Sequence, residues 1–172
     1  MLKVLGVVLL LAGFCGLSFE KVREEKLTII RVNELKKFTT YLLKEIEYSN
    51  IPIPDICEEY VERSEGELKD FLGRVCEQFR INTGKSFLII WQEEIGNDAA
   101  NCVYRKEEKQ LLEDLSKSFG FCNTKMQLSA IEHQLQEFEK IILHKEKKFQ
   151  DNKKLILYFG VMSGLLLSII LL

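Results

Sequence analysis

Hydrophobic and polar positions follow a helical step along the middle of the chain, and that step vanishes at both ends. Residues 4–19 read VLGVVLLLAGFCGLSF and residues 155–172 read LILYFGVMSGLLLSIILL, runs of sixteen and eighteen residues without a charge. Between them, Leu27, Ile30, Leu35, Phe38, Leu42 and Ile46 mark one face of a first helix, with Lys36, Lys37, Lys44 and Glu47 off it. Leu128, Ile131, Leu135, Phe138, Ile142 and Phe149 mark a last helix, with Lys145 breaking the stripe. A stripe of this period is a packing seam that a helix buries against its partners. Leu135 and Phe138 are therefore expected to face inward, and Glu137 and Lys140 outward.

Punctuation between the two long helices marks shorter elements. Ser49-Asn50-Ile51-Pro52-Ile53-Pro54 ends the first helix, because a residue before proline disfavours helical backbone. Pro54 can open the next helix at its first turn. Ser64-Glu65-Gly66-Glu67 is a turn ahead of Leu68, Phe71, Leu72, Val75 and Phe79. Asn82-Thr83-Gly84 breaks the chain again, and residues 86–95 form a short apolar helix around Trp91. After Gly96-Asn97-Asp98, the residues Leu111, Leu112, Leu115 and Phe119 predict one more helix, ended by Gly120. Strand signals are almost absent. The expected fold is all-α, a bundle of about six helices over residues 20–154.

The charge distribution gives the apolar ends their meaning. All 26 Asp and Glu and 23 of the 24 Lys and Arg lie in 20–154, which leaves Lys3 as the one charge in 1–19 and none in 155–172. A helix needs about 20 apolar residues to cross a bilayer, with ~17 as the lower limit. Residues 155–172 meet that length, and residues 1–19 meet it once Leu2 and the residues after Phe19 extend the run. We therefore expect an N-terminal transmembrane helix at 1–19 and a C-terminal one at 155–172. No Pro or Gly separates either run from its neighbouring bundle helix, so each anchor should be continuous with that helix. The competing reading is an exported or lipid-anchored helical protein whose residues 1–19 are a cleaved signal peptide. Phe14 before Cys15 is a poor cleavage context, and Glu20, Lys21 and Arg23 continue a helical pattern.

Near the membrane ends, Lys21, Arg23, Lys26 and Arg31 stand on one side and Lys140, Lys145, Lys147, Lys148, Lys153 and Lys154 on the other. Outside these there is only Lys3, so the positive-inside rule puts the middle in the cytoplasm and both termini outside. Cys15, Cys57, Cys76, Cys102 and Cys122 are an odd set without a CxxC pair, as suits small apolar residues in a reducing compartment. A net charge of −2 argues against nucleic acid as a partner.

Catalytic patterns fail on inspection. Thr83-Gly84-Lys85-Ser86 resembles the end of a phosphate-binding loop, but Phe79 stands where that motif needs glycine and no strand precedes it. His133 and His144 lack the clustered partners a metal requires. Glu93-Glu94 and Glu107-Glu108 sit among lysines at helix spacing, as on a solvated face. No cofactor, metal or catalytic residue is expected, and the chain reads as a non-enzyme.

Several stretches carry a family resemblance in order along the chain: the first apolar run, Glu45-Ile46-Glu47-Tyr48 with Pro52-Ile53 beyond, and Trp91. They are followed by Leu111-Leu112-Glu113-Asp114-Leu115-Ser116-Lys117-Ser118-Phe119-Gly120, Gln127 and the ending Gly160-Val161-Met162-Ser163-Gly164-Leu165-Leu166-Leu167. Together they resemble the stage III sporulation protein AB family of endospore-forming bacteria. Cys122-Asn123 after Phe121 departs from the polar or acidic residues more usual there. The resemblance implies a cytoplasmic domain similar to the F-type platform proteins of type II secretion and type IV pilus machines. It also implies a place in the mother-cell membrane facing the forespore, as a scaffold within a channel-like complex. The implied partners are a secretion-type ATPase and other membrane subunits of that complex. Glu45 and Tyr48 carry over as candidate partner contacts. Trp91 is an anchor type favoured at interfaces, although Leu88, Ile89 and Ile90 around it equally suit a core. Glu137 and Lys140, on the outer side of the last helix, complete the candidate contacts.

Overall fold

The computed structural model describes residues 2–49, 51–81, 84–120 and 123–171, with side chains described chiefly over 19–151. Every regular element among them is helical. The order is α1 (Leu2–Tyr48), α2 (Ile53–Arg63), α3 (Glu67–Arg80), α4 (Phe87–Gly96), α5 (Asp98–Val103), α6 (Lys106–Lys117), a 3-10 turn (Ser118–Gly120) and α7 (Thr124–Leu171). The expected helical bundle is thus present, with one helix that the periodicity did not reveal. That helix is α5, six residues long, in a stretch read only as a break. It is too short for a hydrophobic stripe to repeat, so no period could have marked it.

Local chemistry accounts for the boundaries. Pro52 adopts φ −59° and ψ 144°, outside the helical region, and Pro54 lies in the first turn of α2, where no N–H is needed. Gly66 precedes α3 with φ 103°, a conformation that L side chains rarely adopt. A Cβ there would also lie 2.6 Å from Glu34 Oε1. Ser86 caps α4, its Oγ accepting from Ile89 N at 3.4 Å. At the start of α6, Glu108 Oε2 accepts from Arg105 N at 2.6 Å, which satisfies a backbone donor at the helix entry. The break expected at Asn82-Thr83-Gly84 and the departure at Cys122-Asn123 each fall partly outside the described residues.

The chain divides into two compact units, Arg31–Ile141 in one and Met1–Ile30 with Ile142–Leu172 in the other. In the first unit α4 is the hub, packing on α3, α5 and α6. Its sequence explains the position, because Phe87, Leu88, Ile89, Ile90, Trp91 and Ile95 leave it apolar around most of its circumference. Trp91 is wholly enclosed. Its ring meets Phe71 and Phe119 edge-on at 5.0 Å, Phe87 at 6.1 Å and Phe38 in a stacked pair at 6.4 Å. The indole N–H donates to the Leu112 carbonyl at 3.0 Å, so the buried polar atom is satisfied. A smaller apolar layer joins Leu42 and Ile46 of α1 to Ile56 of α2 and Ile131 of α7.

Register on the long helices refines the two stripes. On α1 the buried apolar residues are Val32, Leu35, Phe38, Leu42 and Ile46, with Thr28 and Thr39 buried beside them, whereas Ile30 is 43% exposed. Five residues separate Ile30 from Leu35, which at about 100° each leaves them roughly 140° apart around the helix. Val32, three before Leu35, takes its place on the seam. On α7, Ile131 and Phe138 are enclosed and Ile142 is buried, while Leu128, Leu135 and Phe149 are half-buried. Phe138 faces inward as expected; Leu135 sits on the seam's shoulder.

The other unit contains the amino-terminal part of α1 and the carboxy-terminal part of α7. Each helix runs unbroken from its bundle stripe through its apolar run, α1 for 47 residues and α7 for 48. Among the described residues no helix is long and apolar enough to cross a membrane. The side chains of 4–19 and 155–172 fall almost wholly outside those described, and the anchor expectation rests on them.

Candidate functional site

Where α1 ends, the Ile51-Pro52-Ile53 stretch lies beside the start of α7. Ile46, Ile51, Pro52, Ile53, Thr124 and Gln127 line a groove of about 210 Å³. Its isoleucines continue into the layer of Leu42, Ile46, Ile56 and Ile131, so the groove has a packed floor, with Thr124 and Gln127 on its polar side. The prolines make the shape possible: two fixed φ angles turn the chain within three residues and leave isoleucines on both sides of Pro52. On the same stretch of α1, Glu45 is half-buried and accepts from Ser49 Oγ at 2.8 Å, and Tyr48 is 80% exposed. Met126, on the first turn of α7, is also exposed.

The five candidate contacts do not converge. Glu45 and Tyr48 stand on the last turns of α1, the helix that contributes Ile46 to the groove. Trp91 is enclosed in the aromatic core and presents no surface to a partner in this conformation. Glu137 and Lys140 pair with each other on α7 at 2.7 Å, and the ammonium of Lys140 holds the Glu137 carboxyl below its ordinary range. Neither lines the groove.

A polar network that the sequence reading missed ties α1, α3 and α6 together. Arg31 grips Glu67 with two nitrogens, Nε at 2.5 Å and Nη2 at 3.2 Å, and its Nη1 lies 3.6 Å from the enclosed carboxylate of Glu108. The hydrogen bond to Glu67 is the main cause that raises the Arg31 pKa, with the Glu108 charge adding to it. Burial pushes the nearby Tyr104 hydroxyl well above the ordinary phenol range, with the Glu34 and Glu67 charges adding to it. Burial also raises the Glu34 carboxyl. The available signal was an acid three residues beyond Arg105, the position that closes a helix N-terminus. The side of the chain from which its cation would come was not visible.

Several of the remaining reactive groups are held in structural roles, whereas the Cys102 thiol is exposed. Lys85 pairs with Glu93 at 2.7 Å and Ser86 caps α4, so the Gly84-Lys85-Ser86 stretch follows a helix and opens another. These residues adjoin a polar groove of about 370 Å³ lined by Gln78, Lys85, Ile90, Glu93, Glu94, Gly96 and Asn97. Its charges are already matched, with Glu94 bound by Arg74 and by Asn97 Nδ2 at 3.2 Å. Burial holds the Cys57 thiol well above its ordinary range and pushes Cys76 up to about 11, which keeps both as unreactive thiols at neutral pH. His133 and His144 are both exposed. Among the described residues no three His, Cys, Asp or Glu are grouped to hold a metal.

Comparison with known proteins agrees with the sequence resemblance. The family model described as stage III sporulation protein AB (spore_III_AB) matches residues 3–172. A solved structure of a protein described as stage III sporulation protein AB (SpoIIIAB) superposes with a TM-score of 0.61 at 15% identity. The superposition covers 70% of this chain and 94% of that one, and at this identity the likeness concerns the fold. No curated protein sequence matches the chain.

Proposed function

Because the chain belongs to the stage III sporulation protein AB family, we propose that it is a non-enzymatic membrane scaffold of the endospore-formation, secretion-like complex. In this reading residues 1–19 and 155–172 anchor the chain in the mother-cell membrane facing the forespore. The helical bundle lies in the cytoplasm and links a secretion-type ATPase to the other membrane subunits. The observation that carries it is the continuity of α1 and α7. Each is one helix that holds a bundle seam at one end and an uncharged run at the other. A helix without a break transmits position between its two ends, which is what a scaffold requires. The non-enzymatic part is supported by the pairing of the charged side chains around the polar groove and by the raised thiols of Cys57 and Cys76.

The groove beside Glu45 and Tyr48 is the surface we assign to the partner. It combines the apolar Ile46, Ile51, Pro52 and Ile53 and the polar Thr124 and Gln127 with exposed Tyr48 and Met126, the mix of apolar, aromatic and polar groups found at interfaces. The test is affinity capture of the tagged chain from sporulating cells, with the ATPase identified by mass spectrometry. Tyr48→Ala should lose the ATPase while the chain stays in the membrane fraction. Absence of the ATPase from wild-type captures would overturn the linking role. Release of the chain by alkaline carbonate would overturn the anchored scaffold.

A further inference from the structure

Charge divides between the two compact units as sharply as structure does. Residues 31–141 hold 15 Lys and Arg against 21 Asp and Glu, a net −6; residues 1–30 with 142–172 hold nine against five, a net +4. The positive excess comes from α7. On α1, Lys21, Arg23 and Lys26 are balanced by Glu20, Glu24 and Glu25. Over 145–154 of α7, Lys145, Lys147, Lys148, Lys153 and Lys154 face only Glu146 and Asp151. Lys147 and Lys148 are exposed and form no ion pair among the described residues, although Asp151 lies one turn beyond Lys147. Leu143, one turn before Lys147, is 67% exposed. The bundle unit behaves differently, pairing many of its cations: Arg31, Lys36, Arg63, Arg74, Arg80, Lys85, Lys117 and Lys140 all hold carboxylates.

We propose that exposed Lys147 and Lys148, in the lysine-rich stretch that precedes the uncharged run, bind the phosphate headgroups of anionic phospholipids at the bilayer surface. The inference rests on the membrane-anchored reading above. If the uncharged run from 155 enters the hydrocarbon, Lys147 lies eight residues before it, about 12 Å along the helix axis at ~1.5 Å per residue. A headgroup layer is roughly 5–7 Å thick, and lysine stems extend along apolar surface toward it. The cluster therefore falls within reach of the lipid phosphates, inside the ~10 Å over which a charged surface acts at moderate salt. A protein partner is the weaker fit, because Lys147 and Lys148 beside an exposed leucine lack the carboxylates and packed aromatic groups that give an interface its register. Anionic lipid supplies the opposite charge without requiring shape.

Each lysine near an anionic membrane contributes about fivefold in binding, equivalent to about 1 kcal/mol. The full-length chain, purified in neutral detergent, is mixed with equal amounts of phosphatidylglycerol and phosphatidylcholine. Retained lipid is then counted by native mass spectrometry. Phosphatidylglycerol should be retained in preference, and Lys147→Gln with Lys148→Gln should reduce its retention between about 5- and 25-fold, the shares of one and two lysines. Glu146→Gln, on the same turn, should not reduce it. Equal retention of the two lipids, or a double variant that matches wild type, overturns the proposal. So does displacement of phosphatidylglycerol by inorganic phosphate at about 10 mM, because the site would then be one for the free ion. Flotation with pure phosphatidylcholine vesicles after alkaline carbonate separates the two claims. A chain that fails to float defeats the anchored reading, and with it this one. A chain that floats yet shows no headgroup preference defeats the lipid inference alone.

Discussion

Replacing Trp91 by alanine is the sharpest test of the bundle's construction. The indole is fully enclosed, makes four ring contacts between 5.0 and 6.4 Å and donates one hydrogen bond to Leu112 O. Truncating a buried aromatic to alanine costs about 3–5 kcal/mol through lost burial and the cavity left behind. The Leu112 carbonyl adds little to that, because a carbonyl inside a helix keeps its bond to the N–H four residues on. Domains of this size hold about 5–15 kcal/mol in total, so the variant should lose between about a fifth and all of its stability. With a urea dependence of roughly 2 kcal/mol per molar, the unfolding midpoint should fall by about 1.5–2.5 M. Circular dichroism at 222 nm is the proper signal, since Trp91 is the sole tryptophan and its fluorescence is lost with it. Trp91→Phe should fall between the two, as it keeps part of the ring volume and loses the N–H donor. Tyr48→Ala is the control: an exposed side chain should move stability by no more than about 0.5 kcal/mol. If Trp91→Ala costs under about 1 kcal/mol, the aromatic cluster does not organise the bundle, and the indole is free to serve a partner after all.

Three further outcomes follow from the same structure. Residues 20–154 expressed alone should be soluble and give a dominantly helical spectrum with cooperative melting; a coil or strand-rich spectrum would contradict the all-α bundle. In that fragment Phe138→Ala should cost about 3–5 kcal/mol and Leu135→Ala clearly less, because one is enclosed and the other half-buried. Glu137→Ala with Lys140→Ala should leave the urea midpoint in place, and comparable losses from all of these changes would mean that the seam is misassigned. Glu34 supplies a pH test. Burial raises its carboxyl above the unfolded value, so the folded state binds that proton more tightly, and the associated stability is present at low pH and lost as pH rises through the folded pKa. Glu34→Gln should therefore be more stable than wild type at pH 7, and the gap should close as pH falls through the carboxylate range. A gap that widens on acidification would show that the glutamate is stabilised as its anion.

The amino-acid sequence determined the elements whose signal repeats within themselves. Stripes at three- and four-residue steps specified α1 and α7, and prolines and glycine placed the entries to α2 and α3, because each of these effects acts along one chain segment. The inward face of Phe138, and the unbroken passage from bundle helix to apolar run, were legible for the same reason. Tertiary structure decided whatever depends on a second segment. Which of the neighbouring apolar residues joins the α1 seam was one such matter: Val32 is buried against the bundle while Ile30 is 43% exposed. Trp91 became core and not contact because four aromatic rings from other positions close around it. Arg31 chose Glu67, 36 residues away, over any acid on its own helix. The groove beside Tyr48 exists because α7 begins beside the isoleucines of the α1–α2 connection. Burial and long-range charge pairing are properties of juxtaposed surfaces, and a one-dimensional pattern records only the face that each helix offers.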